Sequence, residues 1–390
     1  MSRWVASGGA KAAASQGNVV NWIGDSIAPP ARTYSGVDAV NGLGVLLTPA
    51  DFLAWAHLLS SAQIQYGKVA GIGGQRADQM VPRIVADALS HGGQFCGIST
   101  GTNDASAGRT PAQHAADIRA MCAAIVAAGQ TPILTTGVPN PSGGATNYRL
   151  LFDQYRRFTI AYAIQNGWPL VDTYSALVDP ATGGYLTAYD SGDGIHPNNA
   201  GKRVMGEALV AAMQPYLAPL KVAPAAWDTA AQTANLVPNP LFKVDTNADG
   251  VPDSWTKTGT LTVTTGTDAA VKGRWMRIQE TASAGFAQVQ APITITGLPG
   301  RSIAVSGLFR VVGTTATTLT ISTSGAATNL NMRPIAGWTE PTGDWRTFYL
   351  QAKVPVGATS MAINFNTNGG ATVDAYVAQL GVYDLTAAGL

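Results

Sequence analysis

Between residues 19 and 217, short apolar runs alternate with longer stretches in which apolar residues recur every three or four positions. Val19-Val20-Asn21-Trp22-Ile23 reads as a first strand, Tyr66 to Ala70 as a second and Gln94 to Ser99 as a third. Pro132 to Thr136 and Pro169 to Asp172 read as the fourth and fifth. Helical patterns lie between them. One opens at Thr48-Pro49, with Thr48 as N-cap and Pro49 at the first helical position. Others run from Arg76 to Leu89, from the capping box Thr110-Pro111-Ala112-Gln113 to about Ala128, from Tyr148 to Gln165, and from Asn199 to Leu217. This alternation predicts a mostly parallel sheet with helices on both faces.

The texture changes near Pro215. A Pro- and Ala-rich stretch to Pro240 reads as a linker, with a short helix near Trp227 to Ala234. Beyond it Thr, Val, Gly and Ser dominate. Period-two segments such as Thr260-Leu261-Thr262-Val263-Thr264 and Thr318-Leu319-Thr320-Ile321-Ser322 are separated by turn residues. That is the pattern of an antiparallel β-sandwich. The expected organisation is an α/β domain over residues 1–218, a linker over 219–234 and an all-β sandwich over 235–390.

Composition narrows the classes. The chain has 390 residues, more than one ordinary core. It is 46% hydrophobic and 12% charged, which excludes a disordered chain. Net charge is +1 and no basic run stands out, so nucleic acid is not an expected partner. No run approaches the roughly 18 apolar residues of a membrane span, and Met1 to Gly17 has no apolar core of a signal peptide. A surface poor in charge and rich in Ala, Gly and Thr suggests an extracellular or virion-associated protein. Cys96 and Cys122 fall in apolar runs outside any C-x-x-C spacing, and read as buried free thiols rather than as a disulfide or metal ligands.

Four short motifs each follow a predicted strand or precede the last helix: Gly24-Asp25-Ser26-Ile27, Gly71-Ile72-Gly73-Gly74, Gly101-Thr102-Asn103-Asp104 and Asp193-Gly194-Ile195-His196-Pro197. In a doubly wound sheet the carboxyl ends of the strands gather at one edge, so these motifs are expected to converge on one site. Together, and in this order, they resemble the SGNH, or GDSL, hydrolases over about residues 18 to 218. The resemblance implies a three-layer α/β/α, flavodoxin-like fold with a five-stranded parallel sheet. It also implies an oxyanion hole built from the backbone N–H groups of Ser26 and Gly74 and the side-chain amide of Asn103.

The chemistry reads consistently beside it. A serine hydroxyl needs a base to take its proton. Of four histidines, only His196 stands beside a carboxylate in a loop at the predicted edge; His57 and His114 fall in helical patterns and His91 near a helix end. Asp193, three residues earlier, can reach Nδ1 of His196 and leave Nε2 facing Ser26. Ser26 is therefore the expected nucleophile, His196 its base and Asp193 the residue orienting that base. Asp25 and Asp104 read as structural. The sequence departs from the family at Val69-Ala70, where Asn often stands two residues before the glycine block. Ser26 is followed by Ala28-Pro29-Pro30 and an insertion from Ala31 to Leu47, expected to shape the rim of the pocket.

In the C-terminal part, Asn235-Leu236-Val237-Pro238-Asn239-Pro240-Leu241-Phe242 with Asp253-Ser254-Trp255 resembles the opening of a galactose-binding-like carbohydrate-binding module, a jelly-roll sandwich, over about residues 235 to 386. The resemblance makes Trp275, Trp338 and Trp345 candidates for sugar stacking, with core packing the alternative for each. Asp245, Asn247, Asp249 and Asp253 have the alternating spacing of a calcium loop; a structural Ca²⁺ and a plain Asx-rich turn are both open. Catalysis needs no cofactor on this reading. The expected function is a serine esterase that removes acetyl or other short acyl groups from a polysaccharide or glycoconjugate. The alternatives are a lipid-ester or thioester hydrolase, and a phage tail or cell-surface glycan-binding protein.

Overall fold

A computed structural model describes residues 18–28, 47–140, 148–219, 235–280, 286–312, 317–327, 329–338, 342–367, 373–385 and 387. The expected linker helix, Pro29-Pro30, the insertion up to residue 46 and the segment from Met1 to Gly17 lie outside them.

Strands β1 (Val19–Gly24), β2 (Gln65–Gly71), β3 (Phe95–Ser99), β4 (Thr131–Thr135) and β5 (Leu170–Val171) form one parallel sheet in the order β2-β1-β3-β4-β5. The helices are α1 (Phe52–Leu59), α2 (Ala77–Met80), α3 (Ile84–Asp87), α4 (Thr102–Ser106), α5 (Pro111–Ala127), α6 (Tyr148–Asn166), α7 (Thr173–Leu177) and α8 (Asn199–Met213). On β1, Val20 and Trp22 pack with Phe52, Leu53, Met205 and Leu209 on one face of the sheet. Ile23 packs with Met80, Ile118, Met121 and Cys122 on the other. The period-two alternation of a strand thus feeds two helical layers. Trp22 lies flat on Gly97 of β3, where any Cβ would stand 2.3 Å from its ring. Cys96 and Cys122 are buried and free.

Three expected boundaries move, each for a local reason. Asp51, not Thr48, caps α1: its carboxylate accepts the N–H groups of Leu53 (2.8 Å) and Ala54 (3.2 Å), while Thr48 begins the preceding turn. The helix expected over Arg76 to Leu89 breaks into α2 and α3 because Pro82 lacks an N–H and its ring clashes with the preceding turn. The last helix stops at Met213 rather than Leu217, and Gln214–Tyr216, with Pro215 inside it, tightens to a 3-10 turn. The capping box at Thr110 and Gln113 forms as the spacing predicts.

The C-terminal half contains β6 (Thr256–Thr258), β7 (Thr262–Gly266), β8 (Trp275–Glu280), β9 (Ala287–Ile293), β10 (Ser302–Val311), β11 (Thr317–Ser324), β12 (Asn331–Ala336), β13 (Arg346–Lys353), β14 (Ser360–Thr367) and β15 (Val373–Asp384). They form two antiparallel five-stranded sheets, β13-β10-β15-β8-β7 and β12-β11-β14-β9-β6. Ile278, Val305, Phe309 and Val377 from one sheet share a core with Val289, Leu319, Ile363 and Phe365 from the other.

The two halves are joined through α1. Every residue from Phe52 to Leu58 is buried. One side of α1 packs on α8; the other sends Trp55 and Leu58 into the core of the sandwich. Trp55 meets Trp338 edge to face, with ring centroids 4.7 Å apart. His57 bridges the boundary. Its Nδ1–H donates to the Ile64 carbonyl (2.7 Å), and its Nε2 accepts the N–H of Tyr349 (3.2 Å). Tyr349 lies on β13, the edge strand of its sheet, so His57 supplies an acceptor to one N–H on that edge.

Candidate active site

The switch in strand order between β1 and β3 opens the carboxyl edge of the sheet directly beyond β1. Gly24 ends that strand in a confined place. A Cβ there would stand 2.5 Å from the Ala28 Cβ and 2.7 Å from the Ser99 carbonyl oxygen, so only glycine lets the chain turn this tightly. Asp25 follows and is buried; its Oδ1 accepts the N–H of Ile27 (2.9 Å), folding the turn around Ser26, which is exposed.

The segment before α8 brings the base to this turn. Asp190 Oδ1 accepts the N–H groups of Gly192 and Gly194, and Asn198 caps α8 at the Gly201 N–H (2.9 Å). Asp193 Oδ1 accepts the N–H groups of Ile195 and His196, both at 2.8 Å. Its Oδ2 stands 2.6 Å from His196 Nδ1, and His196 Nε2 stands 2.8 Å from Ser26 Oγ. The hydrogen bond from His196 and the two backbone donors hold the Asp193 carboxyl well below the usual carboxylate range. An ionised carboxylate only accepts, so the Nδ1 proton lies on the imidazole, and Nε2 is left to accept from the serine.

The glycine block lies against the nucleophile turn. A Cβ on Gly73 would stand 3.9 Å from the Ser26 Cβ, and Gly74 has φ +76°, in the left-handed region that favours glycine. The amide of Asn103, on α4, donates to the Gln75 carbonyl (3.1 Å) and to Asp25 Oδ2 (3.3 Å), so it stands between the glycine loop and the turn. Ser26, Gly74, Asn103, Asp193 and His196 therefore meet at one edge, as the order of the motifs predicts.

Other groups hold this edge together without being evident in the sequence. Arg83 donates to the carbonyls of Ala70 (2.8 Å) and Gly24 (3.0 Å), tying the ends of β2 and β1. Asp104 accepts the Ala77 N–H (3.0 Å) and the Thr100 hydroxyl (3.1 Å) and pairs with Arg109, locking α4 to the start of α2. Lys202 is buried and donates from Nζ to the Ile27 carbonyl. Burial pushes the Asp25 carboxyl up to about 6 and the Lys202 ammonium down to about 8. Of the remaining histidines, His57 joins the two halves and His114 stacks on Tyr155 at 4.2 Å.

The expectations for the C-terminal half fare differently. Trp338 is not a surface platform: it is fully buried against Trp55 and Phe309, and its indole N–H donates to the Leu47 carbonyl (3.2 Å). Trp345 and Trp275 are half-buried, and their rings are engaged. The Arg310 guanidinium lies 5.1 Å from the Trp345 centroid, and the Trp345 indole bonds Asp268 (3.0 Å). Trp275 covers Gly266 and meets Tyr376 edge-on. In the loop of Asp245, Asn247, Asp249 and Asp253 the side chains fold the loop on itself. Asp245 Oδ2 accepts the Gly250 N–H, Asp249 Oδ1 that of Val251, and Asp253 the N–H and hydroxyl of Thr246. Among the described residues no three His, Cys, Asp or Glu side chains gather as a metal-binding group. These bonds are those of an Asx-rich turn.

Comparison with known proteins finds a family over the N-terminal half. Residues 22–204 match the model of the GDSL-like lipase/acylhydrolase family. This part of the chain is a GDSL-like acylhydrolase domain. The solved structures similar to the protein include a lipolytic protein of the G-D-S-L family from Desulfitobacterium hafniense DCB-2. It is 23% identical, over 50% of this chain and 99% of that one, with a TM-score of 0.39. Another is Axe2, an acetylxylan esterase from Geobacillus stearothermophilus, 20% identical over 51% and 94% of the two chains, with a TM-score of 0.39. No curated protein matches the chain. No helix among the described residues is long and apolar enough to cross a membrane.

Proposed function

We propose that the protein is a serine esterase that removes acetyl or other short acyl groups from a polysaccharide or glycoconjugate. The observation that carries the reading is the relay of Ser26 Oγ, His196 Nε2 and Nδ1, and Asp193 Oδ2, spaced at 2.8 and 2.6 Å within the acylhydrolase domain. In the proposed reaction Ser26 attacks the ester carbonyl as its proton passes to His196 Nε2. The tetrahedral oxyanion is held by the N–H groups of Ser26 and Gly74 and the amide of Asn103. The imidazolium returns the proton to the leaving alkoxide, and the acyl-enzyme is hydrolysed by water that His196 deprotonates. Ser26 and Asp193 are exposed, which suits an ester displayed on a polymer. The sandwich, packed on the hydrolase through α1, suits the part of a spacer or docking element for that polymer.

The test compares acetate release from a panel of acetylated polysaccharides, and hydrolysis of p-nitrophenyl esters of increasing chain length, by the wild type and by Ser26→Ala. Release by the wild type alone, falling with chain length, is expected. Equal release by both proteins rules the mechanism out. Activity on long-chain esters without activity on acetylated sugars replaces the substrate class with lipid esters.

A further inference from the structure

We propose that Lys202 is a positioning residue for the nucleophile, fixing the distance between Ser26 and His196 by pinning the carbonyl of Ile27, the residue that follows the serine. The inference rests on the reading of Ser26 as nucleophile.

The backbone of Ile27 is held on both sides by buried ionisable side chains. Its N–H donates to Asp25 Oδ1 at 2.9 Å, and its carbonyl accepts from Lys202 Nζ. Asp25 is 1% exposed and Lys202 7%. Lys202 lies in the first turn of α8, where its own N–H bonds the Asn198 carbonyl at 2.8 Å. It therefore shares one rigid segment with His196, as Ile27 does with Ser26. Two ties run between these segments: His196 Nε2 to Ser26 Oγ, and Lys202 Nζ to the Ile27 carbonyl. The first must break and re-form as the proton moves. The second takes no part in proton transfer, so it can keep the two segments in register while the first changes.

A lysine is an expensive choice if packing alone were needed. Its neighbours on α8 and α1 are apolar: Met205 and Leu209 are buried beside it, and its ammonium lies 5.7 Å from the Phe52 ring. Removing an ammonium from water is costly unless it is compensated. Here the carboxylates of Asp51, at the cap of α1, and Asp25, in the nucleophile turn, favour the charged amine, and the Ile27 carbonyl accepts its hydrogen bond. The arrangement supplies a donor where an aliphatic side chain would fill the same space.

The test uses the full chain and a fluorophosphonate, which phosphonylates an activated serine without needing the natural substrate. Ser26→Ala serves as the control. Failure of the wild type to label at Ser26 overturns the reading of Ser26 as nucleophile, and this inference with it. Given wild-type labelling, Lys202→Met is expected to label about tenfold or more slowly. Its kcat on a p-nitrophenyl ester should fall by a similar factor, while KM changes by less than about twofold. Labelling by a folded Lys202→Met within about twofold of the wild type overturns the positioning role. Lys202→Gln, which removes the charge but keeps a polar side chain, is the second variant where the methionine does not fold. It is read by the same criterion on the folded fraction.

Discussion

His57 offers the sharpest test of how the two halves are joined. Replacing it with leucine keeps a buried side chain of similar bulk but removes both ring nitrogens. The Tyr349 N–H on the edge strand β13 and the Ile64 carbonyl then lose their partners inside the protein. A buried polar group without a partner costs about 1–3 kcal/mol, so His57→Leu is expected to lose about 2–5 kcal/mol near pH 7. The pH dependence is more diagnostic. Burial pushes the His57 imidazole down to about 4, with the Ile64 carbonyl opposing the shift. A group whose pKa falls on folding binds its proton more readily in the unfolded chain. Wild-type stability therefore drops as pH falls from about 6.5 towards 4, at up to about 1.4 kcal/mol per pH unit. The variant has no such group, so its deficit should shrink by about 2 kcal/mol between pH 7 and pH 5. The buried Asp25 carboxyl, raised to about 6, has the opposite sign in this window: its contribution is present at low pH and lost as pH rises. It is common to both proteins and cancels in the difference. Urea unfolding of both proteins at each pH gives the numbers. A deficit that is the same at pH 7 and pH 5 would falsify the bridge.

Three other outcomes follow from the same geometry. Asn103→Ala removes one oxyanion donor and also the tie between the Gln75 carbonyl and Asp25; kcat should fall by about 10²–10³, measured by steady-state ester hydrolysis, and a loss below threefold argues against the donor role. Trp338→Ala should destabilise by about 3–5 kcal/mol, because it opens a cavity beside Trp55 at the boundary of the two halves; a surface sugar-stacking residue would instead lose glycan affinity with little change in melting temperature. Gly24→Ala should yield little folded protein, since its Cβ meets the Ser99 carbonyl; circular dichroism of the purified variant checks this.

Much of the site was legible because its chemistry is local. The Asp193–His196 pair is three residues apart, and the glycines at 24 and 74 stand where the backbone turns tightly. The capping box at Thr110 needs only its own four residues. Pro82 was visible too, yet the strong apolar pattern around it read as one helix, and the break shows the missing N–H prevailing over periodicity. Arg83 and Lys202 carried no such sign. Each looks like an ordinary helix-surface cation until the strand ends and the Ile27 carbonyl are brought to it.

By itself the sequence determined the alternation of strands and helices, the change to a β-sandwich and the motif blocks that gather Ser26, Gly74, Asn103, Asp193 and His196 at one edge. These depend on periods of two and of three to four residues and on turn chemistry, which act over a few positions. Only the tertiary structure decided that Trp338 is core, that His57 joins the halves across 292 positions of chain and that Lys202 reaches the Ile27 carbonyl beside Ser26, 175 positions away. Burial and long-range hydrogen bonds belong to layers once they are packed. A tryptophan or a lysine carries the same local pattern whether its partner is water or the far end of the chain.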